Sequence, residues 1–151
     1  MPGNDNLVKI VVVSNDLIMP DFLENMLDPQ RFVLETINPN PKSIARIRKV
    51  HPDIVVVDST ESEGDISRIC LNIRNYSGTP ILVLIADHKP ELVEQILDAG
   101  ADDILIKPVS GSILVAYLNT LTRRARAENY AALSIVNGDD GKGQQARLLT
   151  Y

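Results

Sequence analysis

A three-layer α/β fold, a (βα)5 chain doubly wound around a parallel five-stranded sheet, is what this sequence predicts. Three observations carry that expectation. Four β-branched runs, at 10–13, 54–57, 81–85 and 104–106, are continuous rather than alternating, as in strands covered on both faces. Stretches with helical apolar spacing separate them. The chain has 151 residues, 44% of them hydrophobic, which suits one domain with one core.

The first strand lies within KIVVVSNDL, Lys9 to Leu17, where the apolar run climbs to a row of polar groups, Ser14, Asn15 and Asp16. Asp21 to Asp28 follows Pro20, which suits a first helical turn. FVLETI, 32–37, alternates and fits a fifth, more exposed strand. Ser43 to Val50 sets Ile44 and Ile47 on one side of a helix. The strand at 54–57 is followed at once by Asp58. Asp65 to Asn75 groups Ile66, Ile69, Cys70 and Ile73 at helical spacing behind an acidic start. Pro90 to Ala99 ends on Gly100, a C′ glycine. The last helix starts at Ser112 and reaches about Ala132. Right-handed crossovers and short loops then close an open sheet, whose ligand site sits outside the strand carboxyl ends. Those ends carry Ser14–Asn15–Asp16, Asp58, Ile85–Ala86–Asp87 and Lys107–Pro108.

Beyond the last helix the chain changes character. The expected division is a domain over 7–128, a Gly-, Asp- and Gln-rich linker over 129–145, and at 146–151 (ARLLTY) the start of a truncated following domain. Gly138, Gly141 and Gly143 lack the preceding strand and the Lys-Ser/Thr pair of a phosphate loop. A net charge of −5 argues against a general nucleic-acid surface. Arg123, Arg124 and Arg126 read first as a solvated helix end, with a partner-binding patch as the sharper alternative. Cys70 is the only cysteine and reads as a core residue, which leaves no disulfide framework. His51 and His88 are far apart and form no metal constellation. Apolar runs too short for a membrane span, and a start without a basic leader, give a soluble cytoplasmic expectation.

A carboxylate and an ammonium at neighbouring strand ends, Asp58 and Lys107, have two readings. One is a partly buried ion pair orienting two loops. The other is an aspartyl nucleophile with a lysine that stabilises transferred phosphoryl oxygens.

Three segments, PDIVVVD (52–58), TPILVLIA (79–86) and DAGADDILIKPV (98–109), resemble the receiver domains of two-component response regulators, over about residues 7 to 125. The resemblance implies a CheY/flavodoxin-like fold, phosphorylation on Asp58, and Lys107 in contact with the phosphoryl group. It also implies Mg²⁺ held by the acceptor, by acidic residues ending the first strand, and by the main-chain carbonyl of Thr60. The sequence departs from that pattern at four positions. Ser14 and Asn15 stand at the acidic places, and Asp16 comes one residue late, on a different heading. Ile85 replaces the hydroxyl residue ending the fourth strand, and Ile104 replaces the last strand's aromatic.

The expectation drawn from these departures is a degenerate pseudo-receiver with no metal or cofactor. It would be non-enzymatic, a phosphorylation-independent regulatory interaction and dimerisation module. The homodimer would use the fourth helix, last strand and last helix, with Leu92, Leu114, Tyr117, Leu118 and Leu121 as interface residues. The alternative is a weakly active, Mg²⁺-dependent phosphoacceptor with Asp16 or Glu61 in the metal shell. It would receive its phosphoryl group from a histidine kinase and control an output domain. That domain would bind DNA, as follows most receivers, or would be a ParA/MinD-like ATPase. ARLLTY fits the first strand of such an ATPase, as in localisation proteins of pilus assembly machinery.

Overall fold

The computed structural model describes residues 7–59, 63–86 and 89–135. Five strands and five helices alternate: β1 (Val8–Val13), α1 (Ile18–Met26), β2 (Phe32–Ile37), α2 (Pro41–Val50), β3 (Ile54–Asp58), α3 (Glu63–Arg74), β4 (Ile81–Ile85), α4 (Pro90–Asp98), β5 (Asp103–Ile106) and α5 (Gly111–Ile135). The strands lie in the order β2-β1-β3-β4-β5, and every pairing is parallel. This is the predicted doubly wound sheet, with the strand order reversing between β1 and β3.

Strand periodicity divides the core into two halves. Val11, Val13, Val55, Val57, Val83 and Ile85 pack with side chains of α2, α3 and α4. Ile10, Val12, Ile54, Val56, Leu82 and Leu84 pack with α1 and α5 on the other face. Side chains alternate across a strand, so a run can bury every residue only when both faces are covered. β3 and β4 are buried along their whole length. β2, at the sheet edge, keeps the mixed burial that its alternation predicts.

Local chemistry sets the element ends. The Asn40 side chain accepts from Ser43 N at 2.8 Å, and Pro41 opens α2 behind it. His51 closes that helix in the left-handed region, at φ 52°. Gly100 has φ +112°, and a Cβ there would stand 2.5 Å from Arg74 Cγ, so glycine is required on two counts. Arg74 donates to Thr79 O at 2.5 Å and to Asp102 Oδ2 at 2.6 Å. Asp102 Oδ2 also accepts from Ile81 N at 2.7 Å, which pins the start of β4.

Three expectations need correction. α1 begins at Ile18 rather than Asp21, because Asp16 Oδ1 accepts from Ile18 N at 2.9 Å and turns the chain early. α5 continues to Ile135, so residues 129–135 are helix rather than linker; 136–151, including ARLLTY, lie outside the described residues. Leu92, Leu114, Leu118 and Leu121 are buried, and Tyr117 packs against the α5-side core. Their helical spacing marks the face turned to the sheet, not a surface for a neighbour. Among the residues whose burial is described, the exposed large apolar side chains of α4, β5 and α5 are Leu97, Ile106 and Ile113.

Leu118→Ala is therefore expected to cost about 2–5 kcal/mol of stability in a urea titration. Ile113→Ser should stay within about 0.5 kcal/mol. Burial pushes the Cys70 thiol up to about 12. An aromatic disulfide reagent at mildly alkaline pH should thus leave Cys70 unmodified in the native protein and label it fully in denaturant.

Candidate functional site

Register brings the polar groups together at the strand carboxyl ends. Val13 of β1 pairs with Val57 of β3, so Ser14 and Asp58 fall on the next rung. Both share the strand parity that faces α1 and α5. The Ser14 hydroxyl donates to Asp58 Oδ2 at 3.1 Å. Lys107 N donates to Ile85 O at 2.7 Å, which fixes the lysine just beyond β5. Its ammonium forms a direct ion pair with Asp58 Oδ1 and donates to Ser59 O at 3.1 Å. The Lys107–Pro108 peptide bond is cis.

The side chain of Asp58 is 2% exposed and that of Lys107 22%. A carboxylate taken so far from water persists only with close compensation. Among the described residues Oδ1 accepts no hydrogen bond with good directional geometry, so the ammonium's charge alone compensates it.

Beside the pair lies a cleft of about 380 Å³ walled by Asn15, Asn38, Asn40, Asp58, Ser59 and Asp65, with Val13, Val57, Ile66 and Ile69 below. Asn15 follows the opposite parity from Ser14, which turns it into this cleft. Asp16 is not among the walls; its carboxylate is engaged at the start of α1. Thr60, Glu61, Asp87 and His88 lie outside the described residues. Ile85 is buried and Ile104 half-buried in the core half beneath α3 and α4, and neither brings a polar atom to Asp58.

Several contributors escaped the sequence reading. The direct Ser14–Asp58 bond follows from register, which equal distances from the two strand ends already encoded. The Asn38–Pro39–Asn40 turn stands at the carboxyl end of β2, where the same strand-end rule would have found it. Asp65, read as a helix start, also walls the cleft.

The donor set suits Mg²⁺. The carboxylates of Asp58 and Asp65 and the amides of Asn15, Asn38 and Asn40 all offer oxygen, the donor that this hard ion takes. No group of three or more His, Cys, Asp or Glu forms a metal cluster among the described residues. Mg²⁺ needs no such cage, because it keeps several waters and binds through one or two carboxylates plus substrate phosphate.

A family model, the response regulator receiver domain, matches residues 10–119. The DNA-binding response regulator MtrA of Mycobacterium leprae is 30% identical over 133 residues, which is 87% of this chain and 58% of that protein. The transcriptional regulatory protein ResD of Bacillus subtilis is 27% identical over 125 residues, 83% of this chain and 52% of its own length. The crystal structure of a two-component response regulator from Clostridium difficile superposes with a TM-score of 0.70 at 26% identity, covering 78% of this chain and 97% of that one. The chain thus spans about half the length of the curated relatives it matches. Its kinship is with receiver modules rather than enzymes. No helix among the described residues is long and apolar enough to cross a membrane.

These findings correct two expectations. Relatives that are response and transcriptional regulators, together with a formed Asp58–Lys107 pair, favour the phosphoacceptor alternative over a phosphorylation-independent module. They likewise favour use of Mg²⁺ over a site expected to need no metal. The strand order, the paired acceptor and lysine, and the match over residues 10–119 place this chain in the response regulator receiver domain family.

Proposed function

We propose that this chain is the phosphoacceptor module of a two-component regulator, with Asp58 as the residue phosphorylated. The observation that carries this reading is the buried Asp58 carboxylate, paired with Lys107 at the wall of an open cleft. One carboxylate oxygen attacks the phosphorus of a phosphohistidine or a small acyl phosphate. A bond from that oxygen to phosphorus forms, the bond to the donor's leaving group breaks, and the leaving group keeps the electron pair.

Lys107 starts beside the reacting group, since its ammonium already lies against Oδ1, and it can bind an equatorial phosphoryl oxygen as charge develops there. Ser14 holds Oδ2 and orients the carboxylate plane. Mg²⁺, when bound by Asp58 with Asn15 and solvent, supplies neutralisation of the transferred group's charge. Ser14 and Asn15 bring no charge of their own, so this receiver is atypical in its reduced set of anionic metal ligands. It should therefore need more Mg²⁺ than a site with additional carboxylates.

Phosphorylation is read out through Lys107, which joins Asp58 to the Ser59 carbonyl. Drawing the ammonium onto a phosphoryl oxygen changes what holds the β3–α3 loop, the differential contact that a switch requires. The output is proposed to be a DNA-binding domain beyond the matched region, since relatives such as MtrA are DNA-binding response regulators. None of the relatives reported above favours the ATPase reading. A homodimer through α4, β5 and α5 belongs to the same proposal, with Leu97, Ile106 and Ile113 replacing the buried leucines.

Intact-mass analysis after incubation with a small acyl phosphate and Mg²⁺ tests the proposal. One phosphoryl adduct is expected, lost in Asp58→Asn and strongly reduced by chelation; wild-type protein that stays unmodified at high donor and metal would overturn the reading. Lys107→Met should slow adduct formation by about 10²-fold, as for removal of one charge-stabilising donor. It should also cost about 3–5 kcal/mol of stability by leaving Asp58 buried and unpaired. Asp58→Asn/Lys107→Met should recover most of that stability.

A further inference from the structure

A second cleft lies at the opposite edge of the sheet, where the strands begin. It measures about 540 Å³ and is bounded by Val8 of β1, Arg31 just before β2, and Asn119, Thr120, Arg123 and Arg126 of α5. Three arginines thus line one hollow of a chain whose net charge is −5.

Their compensation is incomplete. Among the described residues neither Arg31 nor Arg123 has a carboxylate partner. Arg31 lies over the Phe32 ring, 5.6 Å from its centroid, which steadies the guanidinium without neutralising it. Arg126 shares the Asp53 carboxylate at 3.6 Å and donates to Leu7 O at 3.5 Å, while Asp53 also accepts from Lys9 N at 2.8 Å. Two arginines without a carboxylate partner and a third that shares one therefore line the hollow.

We infer that this cleft binds a small organic ligand carrying two or more linked phosphate groups. Guanidinium forks match phosphate oxygens two at a time and remain charged at any physiological pH. One phosphate would leave a guanidinium unused, whereas a diphosphate or triphosphate spans them. Thr120 Oγ1 donates to Ala116 O at 2.9 Å, so Asn119 is the neutral side-chain donor with a free amide for the ligand's polar body. Val8 and Ala116 line an apolar stretch of the wall. The volume falls within the about 300–1,000 Å³ of ordinary small-molecule sites. A duplex would need cations spread along a row of phosphates, which a concave hollow on an acidic domain does not provide.

Titration calorimetry with pyrophosphate and with ATP, with a short DNA duplex as comparison, tests the inference. Saturable one-site binding of ATP and of pyrophosphate is expected, weakened by about tenfold or more in Arg31→Gln/Arg123→Gln. The melting temperature and the Asp58 adduct should be unchanged in that variant, which separates this site from the phosphoacceptor cleft. Absence of saturation by either phosphate compound at millimolar concentration, equal affinity in the double variant, or binding of the duplex alone would each overturn it.

Discussion

The ion pair between Asp58 and Lys107 is the constraint around which the carboxyl edge is organised. β3 and β5 are not neighbours; β4 lies between them. Lys107 therefore crosses the end of β4 to reach Asp58, and through Ser59 it ties the loop after β3 to the loop after β5. Ser14 secures the carboxylate from the β1 side. Three loops thus share one anion, and any chemistry on that anion is felt by all of them.

The fold was legible because burial on both sheet faces leaves an unmistakable imprint. IVVV and ILVLI admit no polar position, and the intervening segments repeat at helical spacing. What escaped depended on tertiary placement. The spacing of Leu114, Leu118 and Leu121 declares one face of a helix but does not say whether sheet or partner covers it; the sheet does. The start of α1 turns on a side chain outside the helix, Asp16, reaching forward to accept from Ile18 N. The acceptor and lysine could be found by motif and strand position. The Ser14 bond required register, and the walls at Asn38, Asn40 and Asp65 come from loops distant in sequence. Counting charges at Ser14 and Asn15 alone undervalued the site, because an ion that keeps its waters needs few protein carboxylates.

The two edges of the sheet have opposite electrostatic habits. At the carboxyl edge one buried anion gathers an ammonium and a hydroxyl. At the amino edge Asp53 and Asp102 satisfy backbone donors while arginines surround them. An Asp at such a place serves the sheet first, since an unpaired N–H at a strand start is costly to leave dry. Arg74 and Arg126 then serve the aspartates. The remaining guanidinium charge at that edge faces outward.

α5 runs for 25 residues, about 37 Å at 1.5 Å per residue. Its buried leucines fix how it rolls on the sheet, and the helix continues past Arg126 to Ile135 without an interruption. Successive residues of such a rod are turned by about 100°. The helix thus sets Ile135 in azimuth as well as in distance from the sheet. Removing one residue from its last turns would swing the helix end by a little over a quarter of a circle (about 100°) while shortening it by only about 1.5 Å. Length along this helix is therefore a matter of phase, not merely of reach.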